Sequence, residues 1–281
     1  LIRNMIRYLD TGKFKDLEDI LEKYRKKELY QIITKRLVLG SGVFYFRVIL
    51  LLNELKKELA RFGNPEKAKI LSGFFKTGKG QYGYGDIFLG VKVPETRSAA
   101  KKFNSLSLDD LEKLLSSKIH EERLCALLIL AEKYKKSDSK NKKIIADFYL
   151  QNTQKANNWD LVDLSADKIL GNYLIDKDKS ILYNLVKSQN LWERRISIIS
   201  TFAFIRNNEF DDTIKISEIL LNDRHDLIQK AVGWMLREIG KRDEKALFKF
   251  LDKHYRKMPR TMLRYAIERL DEKRKEGYME N

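Results

Sequence analysis

The side chains whose types and spacing point to chemistry are one carboxylate, two indoles and a set of cations. Asp163 ends the run Asn158-Trp159-Asp160-Leu161-Val162-Asp163. Residues four apart share a helix face, so the Trp159 indole and the Asp163 carboxylate stand one turn apart on the same side. By the same rule Trp234 shares a face with Lys230, Arg237 and Lys241, which sets an aromatic ring among cations. Trp192 stands three before Arg195 at a helix start, where core packing is the simpler role for its ring. Other groupings offer less. His120, His225 and His254 form no metal-ligand spacing, so no metal is expected. The single Cys125 permits no internal disulfide and sits among Leu124, Ala126 and Leu127 as a core thiol. The glycine-rich stretch 77–85 follows no strand and lacks the Gly-Lys-Ser/Thr ending of a phosphate-binding loop, so no nucleotide cofactor is expected there.

These residues need elements to position them, and the pattern predicts helices throughout. Only 3 prolines and 14 glycines occur, while Leu, Ile, Lys and Glu recur at three- and four-residue spacing from Phe14 onward. No period-two alternation is long enough for a strand, so the fold class is all-α. Helices are expected over about residues 14–37 and 43–62, with residues 1–52 as a helical N-terminal extension and 53–281 as one domain. The longest apolar stretch, 43–52, is interrupted by Arg47 and falls short of the roughly 20 residues of a membrane span. Leu1 rather than Met opens the chain, so a truncated or processed start is expected, and the first residues lack signal-peptide order.

Beyond Lys118 the helix starts repeat. His120, Asn158, Trp192, Asp226 and Arg260 open segments 38, 34, 34 and 34 residues apart. Steps of this size, each holding a helix pair, mark an α-solenoid, and the missing Trp, Leu-Gly and Tyr of tetratricopeptide repeats favours a HEAT-like one. Equivalent helices then share one face, whose aligned residues are Arg123, Asp163, Arg195, Lys230 and Arg264. Four cations in a row on a concave basic face suit a phosphate backbone. A carboxylate in that row weakens phosphate binding and needs a compensating purpose, of which chemistry is one. The whole composition agrees: 56 Lys and Arg against 40 Asp and Glu give +16, which favours polyanions, and 43% hydrophobic residues suffice for a folded core.

Four segments carry a family likeness: Phe88-Leu89-Gly90-Val91-Lys92-Val93-Pro94-Glu95-Thr96-Arg97, Asn158-Trp159-Asp160-Leu161-Val162-Asp163, Leu191-Trp192-Glu193-Arg194-Arg195, and Ile228-Gln229-Lys230-Ala231-Val232-Gly233-Trp234-Met235-Leu236-Arg237-Glu238. Together they resemble the AlkD-type DNA alkylation repair family over about residues 52–270. The resemblance implies a HEAT-like solenoid that wraps duplex DNA and a monofunctional glycosylase that removes N3- and N7-alkylated purines. It also implies that Trp159, Asp163, Arg195 and Trp234 correspond to the family's active-site residues. Some relatives lack the carboxylate and bind DNA without excision, so Asp163 argues for an active enzyme. One departure is Phe74 or Phe75, where some members carry a tyrosine near the DNA.

The implied chemistry has a physical basis. Alkylation at N7 or N3 makes the purine a cationic leaving group, and the sugar becomes an oxocarbenium ion that Asp163 is suited to stabilise while orienting water. Trp159 and Trp234 would flank the cationic nucleotide, and Arg195, Lys230 and Arg237 would hold phosphates, with Arg123, Lys241 and Arg264 as further DNA contacts. The expected protein is thus an intracellular monomer acting on double-stranded DNA with alkylated purines, without cofactor, metal or membrane. Two other readings compete: a DNA-binding solenoid without catalysis, and a protein-binding scaffold that offers its basic face to an acidic partner.

Overall fold

The computed structural model describes residues 41–280. The expected helix over 14–37 lies outside the described residues, and that over 43–62 is α1, Ser41–Arg61. The order continues α2 Pro65–Phe74, α3 Val93–Lys102, α4 Leu108–Leu115, α5 His120–Lys136, α6 Ser139–Gln151, α7 Trp159–Asp163, α8 Asn172–Leu174, α9 Ser180–Leu185 and α10 Leu191–Ser200. It ends with α11 Phe202–Arg206, α12 Asp211–Ile219, α13 Asp226–Gly240, α14 Glu244–His254, α15 Arg260–Ile267 and α16 Glu272–Met279. Among the described residues there is no strand, only an isolated bridge between Ile87 and Ile119. The fold is all-α, and no described helix is long and apolar enough to cross a membrane.

The five expected repeat helices are α5, α7, α10, α13 and α15, and local chemistry sets where several begin. Asn158 Oδ1 accepts the Trp159 N–H at 2.9 Å, Asn190 Oδ1 accepts the Trp192 N–H at 2.8 Å, and His225 Nδ1 accepts the Leu227 N–H at 3.2 Å. Each cap satisfies one of the amides that a helix start leaves without a partner. Successive members pack on one another, α5 on α7, α7 on α10, α10 on α13 and α13 on α15. Their apolar faces supply the buried core, including Leu124, Ile129, Leu161, Val162, Ile196, Ile199, Val232, Leu236 and Met262. Each such side chain contributes about 1.5–3 kcal/mol on burial. Cys125 is fully buried, and burial pushes its thiol up to about 12, which makes it the core residue expected.

Two glycines hold close approaches. A Cβ on Gly233 would stand 2.4 Å from the Met262 carbonyl oxygen and 2.5 Å from the Tyr265 Cβ, so α13 and α15 cross in contact at that residue. Gly90 adopts φ 82°, and a Cβ there would fall 2.1 Å from the Asn64 carbonyl oxygen. The strap around Gly90 is fastened from below by Glu121, whose carboxylate accepts the N–H groups of Leu89, Gly90 and Val91 at 2.8–3.2 Å.

Candidate active site

The site is built on the starts of the repeat helices. α7 carries Trp159 and Asp163 one turn apart, as i and i+4 spacing requires. The chain then widens into a π-turn over Asp167–Gly171, where the Gly171 N–H reaches back to Ala166 at 2.9 Å. Asp163 does not stand alone. Arg195 on α10 donates from Nε to Oδ1 at 2.9 Å and from Nη2 to Oδ2 at 2.8 Å, a planar two-pronged clamp. The third prong, Nη1, donates to the Leu227 carbonyl at the start of α13. One guanidinium therefore ties three repeats together and fixes the carboxylate. The side chains are 14% exposed for Asp163 and 5% for Arg195. Burial pushes the Asp163 carboxyl above the ordinary carboxylate value, and the Arg195 charge pulls it back without cancelling the rise.

Asp163 opens into a cavity of about 1080 Å³. Trp159 and Trp234 line it, the latter held by Phe202 at 5.8 Å between ring centres and by an indole N–H directed at Glu238 Oε1 at 3.3 Å. Lys76, Lys230 and Arg237 add cations to its lining. Lys230 pairs with Asp226 at 2.9 Å and Arg237 with Glu268, so both are oriented by carboxylates. Tyr82, His225 and Tyr265 complete the lining that matters here. Burial pulls the His225 imidazole below its ordinary value, and burial pushes the Tyr82 phenol up. Both side chains are thus neutral near pH 7.

Trp159 is the end plate of a stack. Its ring lies 5.2 Å from Phe75, Phe75 lies 5.1 Å from Phe88, and Phe88 lies 4.5 Å from His120, all within 23° of parallel. Behind the stack His120 faces two carboxylates, Asp160 Oδ2 at 2.8 Å from Nε2 and Asp86 Oδ2 at 3.3 Å from Nδ1. Burial pulls the imidazole down, but Asp160 and Asp86 outweigh it and raise its value overall. Arg123 closes the cluster with Nη2 at 2.6 Å from Asp86 Oδ2. Asp86 feels burial as the largest influence, yet His120 and Arg123 hold its carboxyl below the ordinary value. This buried network fixes the plane of the Trp159 indole from the rear.

A family model described as DNA alkylation repair enzyme matches residues 55–270. The chain belongs to that family. Membership gives it a role in DNA alkylation repair with DNA as its partner. No curated protein matches the chain. Among solved structures it is similar to a predicted DNA alkylation repair enzyme from Enterococcus faecalis, at 17% identity and a TM-score of 0.59, over 75% of this chain and 97% of that one. It is also similar to AlkD2 from Streptococcus mutans, at 17% identity and a TM-score of 0.50, over 80% of this chain and 99% of that one. At such identities these two likenesses concern the fold, and they agree with a helical-repeat architecture.

The family member's geometry sorts the residues singled out in the sequence. Trp159, Asp163, Arg195, Trp234, Lys230 and Arg237 all line one cavity. Arg195 is 4% exposed, and each of its three nitrogens already donates within the protein, to Asp163 and to the Leu227 carbonyl, where a phosphate contact was expected. Arg123 is 3% exposed and locked on Asp86 and the Ser117 carbonyl. The phosphate contact expected of it is ruled out by burial. Lys241 lies off the cavity and pairs at 2.6 Å with Glu238, the carboxylate that also takes the Trp234 N–H. Arg264 is exposed on α15 outside the cavity, whose lining takes the neighbouring Tyr265 instead. Trp192 is 7% exposed and packs as core, with the Tyr82 ring edge-on at 5.8 Å.

The sequence pointed to Phe74 or Phe75 as a position near the DNA, and Phe74 lines the cavity, but Lys76, Tyr82, His225 and Tyr265 were missed as cavity residues. Phe74 is 61% exposed, while Phe75 is buried in the stack. The glycine-rich stretch held the signal for Tyr82. Gly83 leaves no room for a side chain, since a Cβ would lie 2.3 Å from the Phe75 carbonyl oxygen, and Gly80 at φ 79° turns the chain. Those glycines press the loop onto the aromatic stack and bring Tyr82 to the cavity.

Proposed function

We propose that the protein is a monofunctional DNA glycosylase that hydrolyses the N-glycosidic bond of cationic N3- and N7-alkylated purines in duplex DNA. The observation that carries this reading is the Asp163 carboxylate, clamped by Arg195 in a cavity that also holds the Trp159 and Trp234 rings.

An alkylated purine leaves with the bonding electron pair and becomes neutral. The deoxyribose it leaves carries positive charge at C1′ and O4′. Asp163 stabilises that charge from a nearly buried position, where Coulomb attraction is stronger than in bulk solvent. Arg195 occupies one lone pair on each carboxylate oxygen, which leaves another on each for the sugar or the attacking water. Water bonds to C1′, and its proton passes through the carboxylate to solvent. The indoles offer π faces to the cationic nucleotide, each worth about 0.5–2 kcal/mol. Lys76, Lys230 and Arg237 meet the phosphates on either side of the lesion.

A second reading draws on the same clamp. With both oxygens engaged by Arg195, Asp163 would serve only to brace three repeats, and the protein would bind DNA without excising bases. A single-turnover assay on duplex DNA with one N7-methylguanine separates the two. Asp163→Asn keeps the shape and loses the charge, so glycosylase action predicts a fall of about 100-fold or more at saturating protein with DNA binding retained. Equal excision by variant and wild type, or none by either, favours the bracing role.

A further inference from the structure

A second concavity lies outside the Asp163 cavity, among α3, α5, α6 and the segment 168–175, and encloses about 670 Å³. Five cations line it, Arg97, Lys101, Lys135, Lys142 and Lys168, against one carboxylate, Glu132. Glu132 has its own partner in Lys136 at 3.8 Å, so it compensates the five poorly. Arg97, Lys101 and Lys135 have no hydrogen-bond or ion-pair partner among the described residues. Lys142 rests over the Tyr134 ring at 5.5 Å. Lys168 donates to the Leu164 carbonyl at 2.9 Å and is 3.8 Å from Asp167, a carboxylate already held by Arg206 at 2.8 Å. Burial holds the Lys168 ammonium below its ordinary value, with Arg97 and Arg206 adding to the fall against the pull of Asp167. Like charges gathered this closely repel until an anion arrives.

We propose that this groove binds phosphodiester groups of the duplex on one side of the lesion and so fixes the register of the damaged nucleotide over Asp163. The inference rests on the DNA-repair reading of the cavity. Lys168 stands five residues beyond Asp163 and feels its charge, so the groove adjoins the cavity along the same stretch of chain. None of its cations belongs to the row expected from the repeat alignment: Arg97 and Lys101 lie on α3, before the first repeat helix, and Lys135, Lys142 and Lys168 lie away from the aligned positions.

The test is Arg97→Gln/Lys101→Gln, two exposed positions on one face of α3, compared with wild type by fluorescence anisotropy over a range of salt. Two duplexes are used, each extending on only one side of an N7-methylguanine. Losing two phosphate contacts lowers the slope of log K against log salt by about 1.8 on one duplex and leaves the other unchanged. Excision at saturating protein falls on the duplex that reaches the groove, because the lesion loses its register there, and stays at the wild-type rate on the other. An unchanged slope on both duplexes overturns the proposal, and so does an equal fall on both, which would mark a general loss of charge. Inorganic pyrophosphate that binds wild type but not the variant, with DNA slopes unaltered, would overturn it too and assign a small-anion site. Wild type that shows the one-sided slope but excises nothing would leave the groove standing and remove the glycosylase reading.

Discussion

Replacing Arg195 by Gln separates a residue that acts through Asp163 from one that touches DNA. The guanidinium reaches both Asp163 oxygens at 2.8–2.9 Å, and both side chains are nearly buried. Removing one partner from a pair of that burial costs about 3–5 kcal/mol, because the remaining charge is left uncompensated. Asp163 escapes the cost by taking a proton. Gln still donates one hydrogen bond, so the lower figure applies, and about 3 kcal/mol at about 1.36 kcal/mol per pH unit is a displacement of about two units. The carboxylate must be ionised to work, and its value already lies above the ordinary one, so excision rises with pH on the acid side. In Arg195→Gln that acid limb moves to higher pH by about two units. At a fixed pH below the displaced limb the rate falls about 100-fold, and it recovers about tenfold for each unit of alkali. Single-turnover excision of N7-methylguanine across the pH range measures this, with circular dichroism to confirm that the variant stays folded. A pH profile parallel to that of wild type, reduced equally at every pH, would refute the reasoning and place Arg195 on the DNA.

Gly233→Ala forces a Cβ to within 2.4 Å of the Met262 carbonyl oxygen, so α13 and α15 must part and the protein loses about 1–3 kcal/mol. A thermal midpoint equal to that of wild type would contradict the contact. His120 is raised above 6.5 because Asp160 and Asp86 outweigh its burial. The folded state therefore binds the proton more tightly than the unfolded one; this stability is fully present below pH 6.5 and is lost as pH climbs through the raised value. Wild type should show a urea midpoint that declines over that alkaline window, and His120→Asn should lack the decline. A decline of the same size in both proteins would assign it to other groups.

The sequence was most legible where one signal repeated. Starts spaced by 34 and 38 residues identified five helices, and their alignment brought Asp163, Arg195 and Lys230 to one cavity. The alignment could not tell exposure from burial, because a cation at an aligned position turns inward when a carboxylate waits there. Arg123 met Asp86 and Arg195 met Asp163. Asp86 lies 37 residues before Arg123 in a loop that no helical pattern registers, so nothing local announced the pair. The same holds for Tyr82, whose place depends on how a glycine-rich loop seats against Phe75. Periodicity reports helices and the faces they share, whereas pairing across loops depends on tertiary packing.

The proposed glycosylase action also sets which bases such a cavity would release. A neutral base such as uracil or hypoxanthine leaves as an anion unless a proton reaches it, and a general acid ordinarily contributes about 10²–10⁴-fold. The titratable groups at hand are poor acids near neutrality. Burial keeps His225 neutral, Tyr82 is pushed up, and Asp226 is held below its ordinary value because Lys230 and His225 outweigh the effect of its burial. Asp163 is the remaining carboxyl, and protonating it would remove the negative charge that the sugar cation needs. One residue cannot do both tasks in the same step. The cationic lesion avoids the conflict, since alkylation has already placed the positive charge on the leaving group. Excision of N7-methylguanine should therefore exceed that of uracil or hypoxanthine in the same duplex context by at least about 10²-fold at pH 7. Comparable rates on the neutral bases would mean that the cavity delivers a proton after all, and the division of labour between Asp163 and the lesion's own charge would fall with that result.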